Sequence, residues 1–404
     1  MAKLEFENLE FEEDKQNKEY IKVNLLKSFF FFIERKKLEK IGPFKLGRNF
    51  INFDANERKA SKFYALLSES IKTLKNSLNN KDAVYIHKNS GIPLIGSLSF
   101  GIVDRGTKII EIKPITGCNL NCIFCSVDEG LSSKKTCDFV VEEEYLIDEL
   151  KKLLDFKKSS NIEICINPHG EPLLYADIVK LIKDASNIKY VKEISIMTNG
   201  CLLTKDIIDK MKEAGLTKIS FSVNSLDENN SKMLAGLSSY SIKKVKEMME
   251  YAGKKGFKVV VAPVWVKGMN DKDIEEIIIY AKKNEFDIGI QKYIAHKKGR
   301  NPKGVKEQAW ADFYKELRML EKKHNIKLVM DSAPEKTKEL PVPLKTGDII
   351  KAKIVCNGRI KSQKIASAKQ RAITVINCDN EPGHDVKLRI KKSKNNIFLA
   401  DCLK

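Results

Sequence analysis

The chain is short of the residues that mark secreted or membrane-embedded proteins. Nine cysteines in 404 residues are too few for a disulfide-stapled scaffold, and none occurs before Cys118. No apolar run approaches the roughly 20 residues that a membrane helix needs. The most hydrophobic stretch, LLKSFFFFI from Leu25 to Ile33, is broken by Lys27 and Ser28 and reads as a buried strand or helix core. The opening MAKLEFENLEFEED is acidic and lacks the basic-then-apolar order of a secretory signal, so a cytoplasmic location and reduced thiols are expected. Histidine is scarce too: His87, His169, His296, His324 and His384 stand alone, with no paired spacing that would complete a zinc site.

Acidic residues are the minority charge. Against 73 Lys and Arg there are 54 Asp and Glu, a net charge of +19. A Lys- and Glu-rich thermophile surface would keep the two signs in balance, and this chain does not. The excess favours a polyanionic partner, because each phosphate neutralised releases counterions and adds affinity. With 42% hydrophobic residues the chain can bury two or three domain cores.

Periodicity divides the chain into three parts. Residues 1–100 read as an α+β extension with a helix expected over Glu57–Asn79, where Phe63, Leu66, Leu67, Ile71 and Leu74 recur at helical spacing. Over residues 101–335, six β-branched runs (TKIIEIKPIT, NIEICIN, VKEISIMTN, LTKISFSVN, FKVVVAPVW and FDIGIQKY) alternate with helical stretches. Strand then helix, repeated, predicts an α/β fold of parallel strands with right-handed crossovers, a partial (β/α)6 TIM-like barrel. Residues 345–404 lack a helical pattern and carry NG, DN and PG turns, which predicts a small all-β, OB-like barrel.

In such α/β folds, functional groups gather at the carboxyl ends of the strands. After each of the six runs come polar, Gly or Pro residues: GCNLNCIFC, NPHGEP, TNG, SVNS, APVW with KGMND, and QKY with IAHKKGR. The first of these, Gly117 to Val127, puts Cys118, Cys122 and Cys125 inside eight residues. A four-iron cubane takes four ligands, so three thiolates from one loop leave one iron open to a small molecule. A zinc half-site from Cys122 and Cys125 would need a second ligand pair, and the sequence contains none.

CNLNCIFC after a first strand resembles the radical SAM superfamily signature C-x3-C-x-aromatic-C, with Phe124 in the aromatic place. The resemblance spans about Ile109 to Tyr293 and implies that the three cysteines hold a [4Fe-4S] cluster whose open iron chelates S-adenosyl-L-methionine (SAM). It implies further that the reduced cluster cleaves SAM to a 5'-deoxyadenosyl radical, which takes a hydrogen from the substrate. Gly170-Glu171-Pro172 resembles the family's GGEP segment, which receives the methionyl ammonium, although His169 replaces its first glycine. Thr198 and Asn199 end the third strand at the same face, and Ser222 and Asn224 fall where the family binds ribose and carboxylate. Pro263, within Val261–Val264, marks the segment expected at the adenine.

The C-terminal part resembles a TRAM domain, an RNA-binding module, in its opening G-D, central G-H-D and final strand after K-x-N. Its basic residues, among them Arg359, Lys361 and Arg371, are candidate phosphate contacts, as are Tyr293, His296, Lys297, Lys298 and Arg300 beyond the sixth strand. The whole is similar to an uncharacterised archaeal group of radical SAM proteins with a TRAM-like end. That resemblance implies the fold and cofactors but not the reaction; the charge and the TRAM-like end favour modification of a tRNA or rRNA nucleotide, with an electron donor such as a ferredoxin or flavodoxin. The cysteine-free residues 1–117 argue against the methylthiotransferases, which carry a second cluster there. The RNA methylases that use a second cysteine pair fit poorly as well, because Cys356, Cys378 and Cys402 lie in the appended barrel. Cys165 reads as strand core and Cys137 and Cys201 as packing residues near the catalytic face. Two alternatives stay open: a radical enzyme for a protein, peptide or small metabolite, and a non-catalytic iron-sulfur protein that binds RNA.

Overall fold

A computed structural model describes residues 2–329 and 333–403. The six expected runs form six strands: β1 (Ile109–Lys113), β2 (Ile162–Ile166), β3 (Val191–Thr198), β4 (Lys218–Phe221), β5 (Lys258–Val261) and β6 (Asp287–Ile288). They are parallel neighbours in chain order, with Gly101–Asp104 added antiparallel outside β1, so the sheet is open at both edges. Ile110, Ile112, Ile164, Ile166, Ile194, Ile196 and Ile219 are buried along them. Such Val and Ile runs are what a sheet covered by crossover helices requires.

The crossovers are α1 (Glu143–Lys157), α2 (Ile178–Ser186), α3 (Lys205–Glu213), α4 (Glu228–Ala235), α5 (Ile242–Lys254) and α6 (Asp271–Lys283), and α7 (Trp310–His324) follows. Helix α1 shows the local logic. Glu143 and Glu144 sit in its first turn, where the helix dipole favours acid, and Lys158 ends it in the left-handed region. Leu146, Ile147, Leu150, Leu153 and Leu154 make its buried stripe. Thr204 and Ser241 cap α3 and α5 by accepting from Ile207 N and Lys244 N.

Of two expectations for residues 1–100, the first resolves to a strand and the second changes. The run Leu25–Ile33 spans the turn and second strand of a hairpin, Tyr20–Leu25 with Phe29–Glu34, in which Phe29 and Phe31 are buried and Phe32 faces out. The helix expected over Glu57–Asn79 is instead Glu57–Ala60, Lys62–Ser70 and a 3-10 turn at Ile71–Thr73, followed by the strand Lys75–Asn76. Only Phe63 and Leu74 of its stripe are fully buried, because the chain turns to join a sheet before the helix can run on. That six-stranded sheet takes in Cys137–Val141, which lies beyond the cysteine loop and pairs parallel with Asp82–Ile86. The N-terminal residues and the parallel sheet therefore share one hydrophobic core, without a seam at residue 100.

The C-terminal strands Ile349–Asn357, Lys364–Ala368, Arg371–Ile376, Asp385–Lys392 and Leu399–Leu403 close into the expected small barrel, antiparallel except where Arg371–Ile376 pairs parallel with Leu399–Leu403. It has its own core, including Ile354, Ile373, Leu388 and Phe398. It also docks on the rest of the molecule. Ala372 N donates to Ile95 O at 2.8 Å and Phe398 N to Gly96 O at 3.0 Å. Gly96 has φ of +132°, and a Cβ there would lie 1.9 Å from Ala372 O, so only glycine allows the approach. Among the described residues no helix is long and apolar enough to cross a membrane.

Candidate active site

A cavity of about 530 Å³ opens at the carboxyl ends of the parallel strands. Lys113 enters its wall from the end of β1, and Glu171, Asn199, Ser222, Val264 and Gln291 from the chain following β2, β3, β4, β5 and β6. Parallel strands that point the same way bring all six loops to one end. Cys118, Cys122 and Cys125 share that wall with Phe124.

The cysteine loop is held from four sides. First, Thr116–Gly117 pairs in parallel with His169–Gly170. A Cβ on Gly170, at φ +135°, would fall 1.8 Å from Gly117 O, so the approach of the two loops needs glycine. Second, Asn121 N and Ile123 N donate to Ala235 O and Leu234 O at the end of α4, at 3.0 and 3.1 Å. Third, Arg300 N donates to Cys125 O at 2.9 Å and Arg300 Nε to Cys122 O at 2.8 Å. Fourth, Arg359 reaches in from the C-terminal barrel.

Arg359 is 4% exposed. Its guanidinium binds Asp138, Glu129, Thr116 Oγ1 (2.7 Å) and Cys137 O (2.5 Å). Asp138 also accepts from Asn76 Nδ2 at 2.7 Å, so one buried network joins the N-terminal sheet, the strand before the cysteines and the C-terminal barrel. Burial pushes the Asp138 carboxyl up, but the charge and hydrogen bonds of Arg359 outweigh it and leave its pKa lowered. Burial dominates at Glu129, whose pKa rises to about 7 against the pull of the same arginine.

Amide donors reach the sulfurs: Leu120 N to Cys118 Sγ and Glu129 N to Cys125 Sγ, both at 3.4 Å. Without a metal the sites favour thiols. Burial raises Cys118, helped by Glu171 and Cys122, and it pushes Cys122 up to about 12. A bound cluster reverses that preference, since coordination deprotonates a thiol outright. Among the described residues no three His, Cys, Asp or Glu side chains converge to hold a single metal ion. Three half-buried thiols around one cavity, with amides aimed at two of them, fit a cluster with the protein on one side.

Glu171 braces the site. Its carboxylate accepts from Thr198 Oγ1 (2.7 Å), Asn199 N (2.8 Å) and Leu173 N (3.1 Å), tying the loop after β2 to the end of β3. An ionised carboxylate has about four lone-pair sites, so one is left for a cationic ligand. Burial raises its pKa to about 7 despite those donors. Asn199 Nδ2 donates to Asn119 Oδ1 at 2.8 Å, which ties the same strand end to the residue after Cys118. Asn224 Oδ1 accepts from Val264 N at 2.8 Å and orders the loop after β5, while Ser222 lines the cavity.

The expected cofactor residues Phe124, Gly170, Glu171, Thr198, Asn199, Ser222 and Asn224 all line this cavity. Pro172 and Pro263 do not: Pro172 starts a buried 3-10 turn, and Pro263 O accepts from Gln291 N while Val264 makes the wall. Several expected substrate contacts are corrected. Arg359 is consumed by buried carboxylates, and Arg300 by the backbone of the cysteine loop. Tyr293 packs on Phe124 with its hydroxyl bonded to Asn301 Oδ1 at 2.9 Å, and it lines the cavity as expected. Arg371 binds Asn396 Oδ1 at 3.0 Å and Pro341 O at 3.3 Å within the barrel's docking region. His296 lines the cavity, Lys298 lines a neighbouring one, and Lys297 and Lys361 are exposed outside both. Cys137 and Cys201 stand outside the cavity wall.

Lys113, Glu129 and Asp138 were missed from sequence. Lys113 ends the strand that also carries Glu111, and its Nζ binds Asn167 O at 2.6 Å and Glu111 at 3.0 Å. Asp138 and Glu129 look like ordinary loop acids until Arg359 is brought to them from more than two hundred residues away.

An iron-sulfur, SAM-dependent enzyme is the class that this sheet and this cysteine loop define. Residues 112–281 match the family model "Radical SAM superfamily". A Methanocaldococcus jannaschii protein described as uncharacterized (MJ0103) is 38% identical over 367 residues, covering 83% of this chain and 84% of that one. The chain belongs to the radical SAM superfamily, whose members use a [4Fe-4S] cluster and SAM. A GTP 3',8-cyclase of Listeria monocytogenes is 29% identical over 207 residues, covering 51% of this chain and 57% of that one. The chain thus spans little more than half the length of that cyclase. Among solved structures, a spore photoproduct lyase mutant with bound AdoMet and dinucleoside spore photoproduct aligns with a TM-score of 0.44 and 14% identity, covering 60% of this chain and 78% of that one.

Replacing Arg359 by Ala leaves Asp138 and Glu129 buried without their cation, an expected cost of about 3–5 kcal/mol. Thermal unfolding should show a clear drop in Tm, and a Tm equal to wild type would contradict the network. A second expectation concerns His169. Burial, with Lys113, Arg359 and Lys135 nearby, depresses its pKa to about 3. A base whose folded pKa lies below its unfolded value of about 6.5 costs nothing above that value and destabilises progressively as pH falls below it. Denaturant titrations from pH 7.5 to 5 should show His169→Gln losing less stability than wild type over that window.

Proposed function

We propose that this enzyme modifies a nucleotide of tRNA or rRNA, through an open barrel of the radical SAM kind joined to a TRAM-like RNA-binding barrel. Cys118, Cys122 and Cys125 would hold the cluster, and Gly170, Glu171, Thr198, Asn199, Ser222 and the Val264 loop the SAM. When bound, these groups supply the one-electron cleavage that makes a substrate-activating radical. The protein's own part is to brace the two loops, to offer the remaining acceptor of Glu171 to the methionyl ammonium, and to keep water from the cavity.

The observation that carries the RNA reading is the anchoring of the basic C-terminal barrel on the cysteine loop itself, through Arg359. A nucleic-acid module fixed at that point holds its ligand beside the cavity mouth instead of swinging on a linker. Net charge of +19 supports the same reading. An acidic electron carrier such as a ferredoxin or flavodoxin would suit this charge as reductant. The likeness to GTP 3',8-cyclases favours a second reading, a radical enzyme for a small metabolite.

Mass spectrometry of tRNA and rRNA nucleosides from cells with and without the gene should reveal one modified nucleoside lost in its absence. Identical nucleoside profiles would refute the RNA reading. Cys118→Ala should abolish both the visible absorbance of the anaerobically reconstituted cluster and the release of 5'-deoxyadenosine. Either signal surviving in that variant would overturn the cofactor assignment.

A further inference from the structure

A second cavity, of about 450 Å³, lies between the C-terminal barrel and the carboxyl end of the parallel sheet. Leu98, Arg105, Ser126, Val127 and His169 line both this cavity and the one that contains the cysteines, so the two adjoin along a common wall. Six cationic residues line it: Arg105, Lys135, Lys298, Arg359, Lys392 and Lys394. No Asp or Glu among the described residues does so.

Of the cleft lysines Lys135 is half-buried, and Lys298, Lys392 and Lys394 are exposed. In the cleft, Lys135, Lys298, Lys392 and Lys394 make no salt bridge among the described residues. They come from three separate parts of the chain: the cysteine loop, the segment after β6 and the last turn of the barrel. Burial, followed by the nearby Arg359 charge, lowers the Lys135 pKa against the pull of Glu129 and Asp128. Arg359, whose buried Nε has no hydrogen-bond partner, belongs to the same wall. The rest of the lining is largely apolar, with Leu98, Ile360, Ile397 and Leu399 between the cations. Apolar and cationic lining together match a nucleotide, whose base face is apolar and whose phosphate is anionic.

We propose that this cleft is the substrate subsite and holds a nucleotide phosphate, so that the attached nucleoside reaches into the adjoining cysteine-lined cavity. That the nucleotide belongs to RNA rests on the function proposed above. The phosphate chemistry of the cleft does not, and the test separates the two.

Full-length, anaerobically reconstituted protein is titrated with a fluorescein-labelled single-stranded RNA 12-mer by anisotropy, and with UTP by calorimetry, at several salt concentrations. The cleft variant is Lys298→Glu with Lys392→Glu, both exposed positions outside any salt bridge. The control is Lys351→Glu with Lys353→Glu, which line a separate cavity on the barrel. The cleft pair should weaken RNA binding by roughly tenfold or more and flatten its salt slope by about 1 to 2, while the control changes far less. The neutral pair Lys298→Gln with Lys392→Gln should fall between, which guards against a folding defect in the Glu pair. If UTP binding depends on the cleft lysines and RNA does not bind, the subsite stands and the RNA reading fails. If cleft and control variants lose equally, or wild type binds neither ligand, the subsite proposal is overturned.

Discussion

One buried arginine sets the geometry on which the rest of the molecule depends. Arg359 leaves the C-terminal barrel and enters a space where Asp138 and Glu129 would otherwise be uncompensated carboxylates. Taking three charges out of water is costly, and the arrangement is tolerable only because Thr116, the Cys137 carbonyl and Asn76 supply further hydrogen bonds. Removing any one member strands the others. The network therefore makes the barrel, the cysteine loop and the N-terminal sheet a single mechanical unit.

That coupling has a chemical meaning. A loop that offers three thiols to one cluster must hold them apart and in fixed directions before the cluster arrives, although it has no regular structure of its own. The chain solves this by clamping the loop between elements that are rigid for other reasons: the glycine-to-glycine pairing at Gly117 and Gly170, the end of α4, and the backbone bonds of Arg300. Arg300 and Arg359 look like phosphate ligands in sequence and serve as struts in the fold. Lysines, whose single charge suits a flexible rim better than a forked strut, are left to face the second cavity.

The same contrast explains which site residues could be read directly. Local spacing puts Cys118, Cys122 and Cys125 on one short loop and the resemblance to the family signature adds Phe124, and all four line the cavity. Position after a strand identifies Glu171, Thr198, Asn199, Ser222 and Asn224, because parallel strands deliver their carboxyl ends to one place. Roles that depend on a partner distant in sequence escaped. Arg371 was one basic residue in basic company until packing bonded it to Asn396 and Pro341.

By itself the sequence determined the six parallel strands, the closed terminal barrel and the cysteine-bearing end of the sheet, since each follows from a repeat, a turn pattern or a spacing within a few residues. Tertiary structure alone decided that the helix expected over Glu57–Asn79 breaks to supply a strand, and that Cys137–Val141 joins the N-terminal sheet. It also decided where the barrel docks, and so which cations pair with buried acids and which are left facing the cleft. The physical reason is that charge pairing and burial are set by neighbours in space. Over separations of a hundred residues or more, no local pattern records who those neighbours will be.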